Sequence, residues 1–294
     1  MLIARLIADP TTLGDNLARA VEQITAVGGE VAGAGMLDFC ESVLEIEVAT
    51  GDAATVRGIL DNCFPASDFL LSDRVIETPR LFVSDMDSTM ISAECIDELA
   101  DFAGLKERIA AITERAMQGE LDFESALRER VGLLKDLPET AITQCLEERI
   151  RPMPGARTLV STLKSRGCHT VLVTGGFHSF ADPVATQLGF DRVVGNRLEI
   201  ADGRLTGALV GGIVDSGVKK TVLLEEMDRL GPATASLATG DGANDIPMIA
   251  AATHGIAYYA KPKARQAADG WIDRGDLTSI LQLFGIARED WVID

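Results

Sequence analysis

The chain has 294 residues, 47% of them apolar, 24% charged and only 5% aromatic, a composition that suits a folded protein with an aliphatic core and excludes the disordered and fibrous classes. Twenty-seven Lys plus Arg against 45 Asp plus Glu leave a net charge of −18, and such a field repels nucleic acid and anionic lipid surfaces. The same field disfavours anionic small molecules, so any phosphate site here needs local cations, a metal ion or backbone amides to reverse the sign.

The first 75 residues begin with the apolar run LIARLIA and a helical pattern from Thr11 to Val27. Strand-like GEVAGAGMLD and VLEIEVAT follow, then a second helical pattern, AATVRGILDNC, and a short apolar FLL. That βαββα order with a closing strand predicts a small antiparallel sheet carrying two helices on one face. After ETPR the pattern changes. Short apolar runs at 81–83, 170–174, 236–239 and 255–260 alternate with helical segments, which predicts parallel strands buried on both faces. Between the first two runs, residues from about 91 to 152 read as almost wholly helical and are expected to cap the strand ends. RLEIADGRLTGALVG, with DG between alternating runs, predicts a hairpin. The five scattered cysteines contain no C-x-x-C pair and fit reduced thiols in a cytoplasmic setting. Pro10 ends the first apolar run too early for a signal peptide, and no apolar stretch has transmembrane length.

Chemistry concentrates at two strand exits. In LFVSDMDSTM, Asp85 and Asp87 leave the first strand of the second pattern two positions apart, so an extended backbone would turn both to one side. Ligands of open parallel sheets bind beyond the carboxyl ends of the strands, and the repulsion between two carboxylates there calls for a cation or a shared proton. SLATGDGANDIPM repeats the theme: a strand ends at Thr239, Gly240 and Gly242 bracket Asp241 and allow tight or positive-φ backbone, and Asn244 and Asp245 open a helix. These oxygen donors suit Mg²⁺. An EF-hand is excluded because Met90 and Ile96 stand where Gly and Glu are required, and a P-loop because Val218 follows the second glycine of GIVDSGVKKT. Three scattered histidines give no zinc spacing.

D-x-D-x-T (Asp85, Asp87, Thr89), the Thr174–Gly175–Gly176 turn, Lys219 and G-D-G-x-N-D (Asp241, Asn244, Asp245) resemble, in order, the four motifs of the haloacid dehalogenase-like phosphatases. More narrowly, DMDSTMISAECIDELA, FESALRERVGLLKDLP, TGGF and GDGANDIPM are similar to the phosphoserine phosphatases of that superfamily, over about residues 80 to 285. Residues 1–75 resemble the ACT-type regulatory domain. The resemblance implies an α/β architecture: a Rossmann-like parallel sheet over 76–294 with an inserted helical cap at about 91–152, preceded by an ACT-like βαββαβ domain over 1–75.

It also implies roles. Asp85 would be the nucleophile and Asp87 the general acid and base; side chains of Asp85 and Asp241 with the backbone carbonyl of Asp87 would hold Mg²⁺, and Asp245 would orient its waters. Thr174, Gly175, Lys219 and Asn244 would receive the phosphate. The family usually shows Ser at the place of Thr174, a change that keeps the hydroxyl. Glu94 and Arg130 would receive the ammonium and carboxylate of O-phospho-L-serine, and Met117 and Phe123 would close over the ligand. A homodimer is implied by the habit of ACT-type domains of pairing their sheets. The nearest alternative substrates are other small phosphates such as phosphothreonine or phosphohomoserine. Cys95 is expected to be a buried small hydrophobe and His178 a packing or surface group.

Overall fold

The computed structural model describes residues 1–38, 40–117, 120–231 and 233–293, without the side chains of Glu41 and Met117. Its N-terminal part runs β1 (Leu2–Ile7), α1 (Leu13–Ala26), β2 (Glu30–Leu37), β3 (Cys40–Thr50), α2 (Ala53–Cys63) and β4 (Asp68–Ser72). This is the βαββαβ order read from the sequence. Alternation drives it: Leu2, Ala4 and Leu6 of β1 are buried with Ile46 and Val48 of β3 against Ala20, Ile24, Val56 and Leu60 of the two helices. Asp52 caps α2 by accepting from Thr55 N–H at 2.9 Å.

The remainder begins with β5 (Leu81–Ser84) and then four helices, α3 (Cys95–Phe102), α4 (Lys106–Met117), α5 (Phe123–Leu133) and α6 (Thr140–Arg149). Next come α7 (Ala156–Ser165), β6 (His169–Phe177), α8 (His178–Leu188), β7 (Arg192–Ala201), β8 (Arg204–Val210), α9 (Ser216–Leu230) and β9 (Ser236–Gly240). The chain ends with α10 (Ile246–Ile249), β10 (His254–Tyr258), α11 (Pro262–Ala267), β11 (Gly270–Ile272) and α12 (Thr278–Leu283). β5, β6, β7, β9, β10 and β11 are parallel neighbours. Both faces of β5 are covered, as its uninterrupted apolar run requires: Leu81 and Val83 pack with Val222 and Leu223 of α9, and Phe82 packs with Leu159 of α7 and Phe180 of α8.

Two features differ from the sequence reading. TGG is the irregular end of β6, with a register shift between Val173 and Phe177, and α8 starts directly after it. The sheets of the two parts are also one sheet. β11, a strand the apolar runs do not announce, pairs antiparallel with β4, giving the order β2-β3-β1-β4-β11-β10-β9-β5-β6-β7-β8. The junction is sealed by Trp271, fully buried, stacked on Phe69 at 4.4 Å and donating from Nε1 to Ser67 O at 3.0 Å.

The hairpin β7–β8 turns at Asp202 (φ 51°) and Gly203 (φ 71°), the left-handed pair that fits strand twist. Its tip braces the cap: Asp136 N–H donates to Leu205 O at 2.8 Å, and Glu139 N–H to Gly203 O at 2.9 Å. Among the described residues no helix is long and apolar enough to cross a membrane.

Candidate active site

The carboxyl ends of β5, β6, β9 and β10 converge under the cap on a cavity of about 480 Å³. From the strand side it is lined by Asp85, Asp87, Thr174, Gly175, Asp241 and Asn244, and from the cap by Glu94, Phe123 and Arg130. The two acidic strand exits are therefore one site. Met117 ends α4, and its side chain lies outside the described residues.

Asp85 is buried. Its backbone N–H donates to Thr239 O at 3.0 Å, which ties the exit of β5 to that of β9. Its Oδ1 accepts from Met86 N–H at 2.7 Å and lies 2.7 Å from Lys219 Nζ, leaving Oδ2 without those partners. Lys219, on the first turn of α9, is 1% exposed and also donates to Asp245 Oδ1 at 2.8 Å. Burial works against its charge, yet Asp85 and Asp245 more than offset that and hold its pKa above the ordinary lysine value. Burial pushes Asp85 well above the carboxylate range, with Asp245 and Asp87 adding to the rise and Lys219 opposing it.

Asp87 projects beside Gly176 and accepts from Cys95 N–H at 3.3 Å. Burial, reinforced by the charge of Glu94, raises its pKa to about 7. A Cβ on Gly176 would stand 3.0 Å from Asp87 Oδ2 and 3.1 Å from Thr174 Oγ1, so that position must stay small. Thr174 Oγ1 accepts from Gly176 N–H at 2.8 Å, which leaves its proton free to donate into the cavity. Gly240 serves close approach and not positive φ: a Cβ there would meet Asp245 Cγ at 2.4 Å. Both oxygens of Asp245 are engaged, Oδ1 by Lys219 and Oδ2 by Gly242 N–H at 3.0 Å.

Asp85, Asp241 and Asp245 each bring a carboxylate oxygen within 4.8 Å of the others, and all three are buried. Asp241, too, is raised by burial, although Lys261 opposes the shift. A buried all-oxygen donor set of three carboxylates fits a hard divalent cation.

In the cap, Glu94 precedes α3 and accepts from Ser88 Oγ at 2.9 Å. Arg130 is half-buried; among the described residues its Nε reaches the Ala126 carbonyl, at 3.4 Å, and burial lowers its pKa while Asp97 and Glu94 support the charge. Phe123 is 41% exposed and would touch a Cβ on Gly175 at 3.4 Å, so it closes the cap against the end of β6. Cys95 is buried, as expected. His178 has a partner, Asp182 Oδ1 at 2.7 Å, one helical turn on.

Sequence reasoning missed two residues. Asn196, 1% exposed in β7, donates from Nδ2 to Gly175 O at 2.7 Å and accepts from Val214 N–H at 2.8 Å. A polar side chain facing inward from an alternating strand was the available signal. Lys261, just beyond β10, lines the cavity and lies 3.6 Å from Asp241 Oδ2. Nothing in YYAKP marks it.

Residues 82–250 match the family described as haloacid dehalogenase-like hydrolase. The chain is 45% identical over 212 residues to phosphoserine phosphatase SerB2 of Mycobacterium tuberculosis, covering 72% of this chain and 52% of that one, and so spans about half that relative's length. With the phosphoserine phosphatase of Albidiferax ferrireducens it shares 44% identity over 211 residues, 70% of this chain and 89% of the relative. Among solved structures, the unliganded probable phosphoserine phosphatase from Vibrio cholerae superposes with a TM-score of 0.77 at 33% identity, covering 98% of this chain and 88% of that one. A phospho-aspartyl intermediate analogue of phosphoserine phosphatase superposes with a TM-score of 0.64 at 39% identity, over 70% of this chain and 99% of the other. The acidic strand exits, the buried lysine and these matches agree, and the chain belongs to the haloacid dehalogenase-like hydrolases.

Proposed function

We propose that the protein is a phosphoserine phosphatase, hydrolysing O-phospho-L-serine to L-serine and phosphate through an aspartyl-phosphate. The observation that carries this reading is the contrast between neighbours: Asp85 is paired with Lys219 at 2.7 Å, whereas Asp87, two residues on, has no cation bonded to it among the described residues and has its pKa raised to about 7. Lys219 opposes the burial that raises Asp85, and a metal cation would oppose it further, whereas Asp87 lacks such a partner and can keep a proton near neutral pH; these are the demands on a nucleophile and an acid.

Asp85 Oδ2 attacks phosphorus while the bond from phosphorus to the serine oxygen breaks. Asp87 donates its proton to that oxygen, which would otherwise leave as an alkoxide, and then takes a proton from the water that splits the aspartyl-phosphate. Thr174 Oγ1, the Gly175 amide, Lys219 and Asn244 meet the phosphoryl oxygens. Mg²⁺ would be held by Asp85, Asp241 and the backbone carbonyl of Asp87, with Asp245, its oxygens already engaged, in the outer layer. When bound, it would offset the charge of the phosphoryl group and of the carboxylates around it. Glu94 and Arg130 would pair with the ammonium and carboxylate of the substrate, and Met117 and Phe123 would cover it.

We also infer that residues 1–75 form an ACT-like regulatory and dimerisation domain beside a catalytic domain at 76–294, in a cytoplasmic homodimer. The βαββαβ order supports the first part and the free, buried cysteines the setting. Phosphate release from phosphoserine by the purified protein tests the main reading. Label from radioactive substrate should be trapped on Asp85 after an acid quench. Normal turnover by Asp85→Asn would refute the assignment.

A further inference from the structure

The cavity is more acidic than a phosphate site should be. Five carboxylate side chains line it, against the two cations Arg130 and Lys261. Lys219 lies at the floor, paired at 2.7 and 2.8 Å with two aspartates, so its charge is already shared before an anion arrives. A phosphomonoester arrives with a charge of about −1.5 to −2, against a body of net charge −18. Arg130 belongs to the cap, on α5.

Lys261 is delivered to the mouth by a strained turn. β10 ends at Tyr258, and Tyr259 adopts φ 41°, a left-handed conformation costly for an aromatic residue. The strain is held by Tyr259 N–H to Ile272 O at 2.9 Å and by Tyr259 O–H to Gly275 O at 3.0 Å. The chain then crosses the strand ends, and Lys261 N–H donates to Asp241 O at 2.9 Å. Pro262 starts α11 directly behind it, and the far end of α11 is fixed by Arg57 of α2, which donates to Arg265 O at 2.6 Å. The backbone at Lys261 is therefore rigid. Its ammonium is not: the side chain is 68% exposed, and the 3.6 Å pair with Asp241 is looser than a hydrogen bond.

We propose that Lys261 is the phosphate-capturing residue at the mouth of the site, its ammonium leaving Asp241 for the oxygens of the incoming phosphomonoester and of the phosphate product. The proposal rests on the phosphatase reading above. A rim cation on a fixed backbone with a free four-carbon stem raises encounter and retention of a dianion without entering the chemical step.

Lys261→Gln and Lys261→Arg test it, with kcat and kcat/KM for phosphoserine measured against ionic strength. Affinity for inorganic phosphate is read separately by calorimetry on the magnesium-loaded protein. Gln is expected to lower kcat/KM about tenfold with kcat changed less than about threefold, to flatten the salt dependence, and to weaken phosphate binding about tenfold; Arg should recover most of each. Unchanged kcat/KM, salt dependence and phosphate affinity in the Gln variant would overturn the proposal. So would a kcat that falls as far as kcat/KM with phosphate affinity intact, since Lys261 would then act only through Asp241. If the unaltered protein releases no phosphate from phosphoserine, the substrate reading fails alone, and the calorimetric comparison still decides for or against Lys261.

Discussion

The side-chain amide of Asn196 donates to the carbonyl of Gly175 at 2.7 Å while its oxygen accepts from Val214 N–H at 2.8 Å. One buried residue thus fixes the cavity-lining end of β6 and the segment that leads into the helix of Lys219. Asn196→Ala removes both bonds and leaves a half-buried carbonyl and a buried amide unpaired, a loss of about 2 kcal/mol in unfolding free energy. KM for phosphoserine should rise about tenfold as the Thr174–Gly176 segment loosens. Asn196→Asp keeps the acceptor but turns an oxygen toward the Gly175 carbonyl, so it should be less stable than the alanine variant. Urea unfolding with steady-state kinetics on the three proteins checks the order.

Lys219 is the only cation bonded to Asp85 and Asp245 among the described residues. Lys219→Met would strand two buried carboxylates, at a cost of about 3–5 kcal/mol. Asp85, already raised by burial, would rise further, so the folded state of the variant binds a proton that the unfolded chain has released. Its stability then falls as pH rises above the ordinary carboxylate range. The deficit relative to the parent should be large at pH 8 and shrink toward pH 5 in denaturant titrations, and kcat should drop by about 10³ or more.

Asp87 can act as an acid only while it holds its proton. Burial and Glu94 raise its pKa to about 7, and a divalent cation beside it can only lower that value. The alkaline limb of kcat/KM should therefore bend at or below about pH 7 and fall tenfold per pH unit beyond it. Glu94→Gln removes a neighbouring negative charge and should move the bend to lower pH, apart from any loss of substrate affinity. A bend that stays in place in this variant would detach Asp87 from the limb.

The parallel strands and the two acidic exits were legible because they are local: four apolar runs ending in small or polar residues, and carboxylates immediately past two of them. Lys219 was legible only through family likeness, since a lysine on the first turn of a helix is ordinarily solvated and nothing in SGVKKT announces a 1% exposed side chain. β11 escaped because Gly270–Ile272 is three residues long, and its partner β4 lies about two hundred residues away. The single eleven-stranded sheet escaped with it. Lys261 escaped because its position depends on the left-handed backbone of Tyr259, a conformation that tyrosine does not advertise.

Beside the β4–β11 seam, a side-chain contact between β4 and β10 carries a titration of its own. His254 is 2% exposed, meets Phe284 edge-on at 5.5 Å and shares a hydrogen bond of 3.1 Å between its Nε2 and Ser72 Oγ. Burial, followed by the charge of Arg74, depresses its pKa from 6.5 to about 4. Between those values the unfolded chain binds a proton that the folded one refuses, so the stabilisation is complete above pH 6.5 and is lost as pH falls toward 4. A shift of that size corresponds to about 3 kcal/mol at most. His254→Gln does not titrate and can still bond Ser72, so its unfolding free energy should decline less steeply than the parent's across this window. Carboxylates contribute equally to both proteins, and the difference between the two curves isolates the imidazole. Parallel curves from pH 7 to pH 4 would mean that His254 accepts its proton without disturbing the seam.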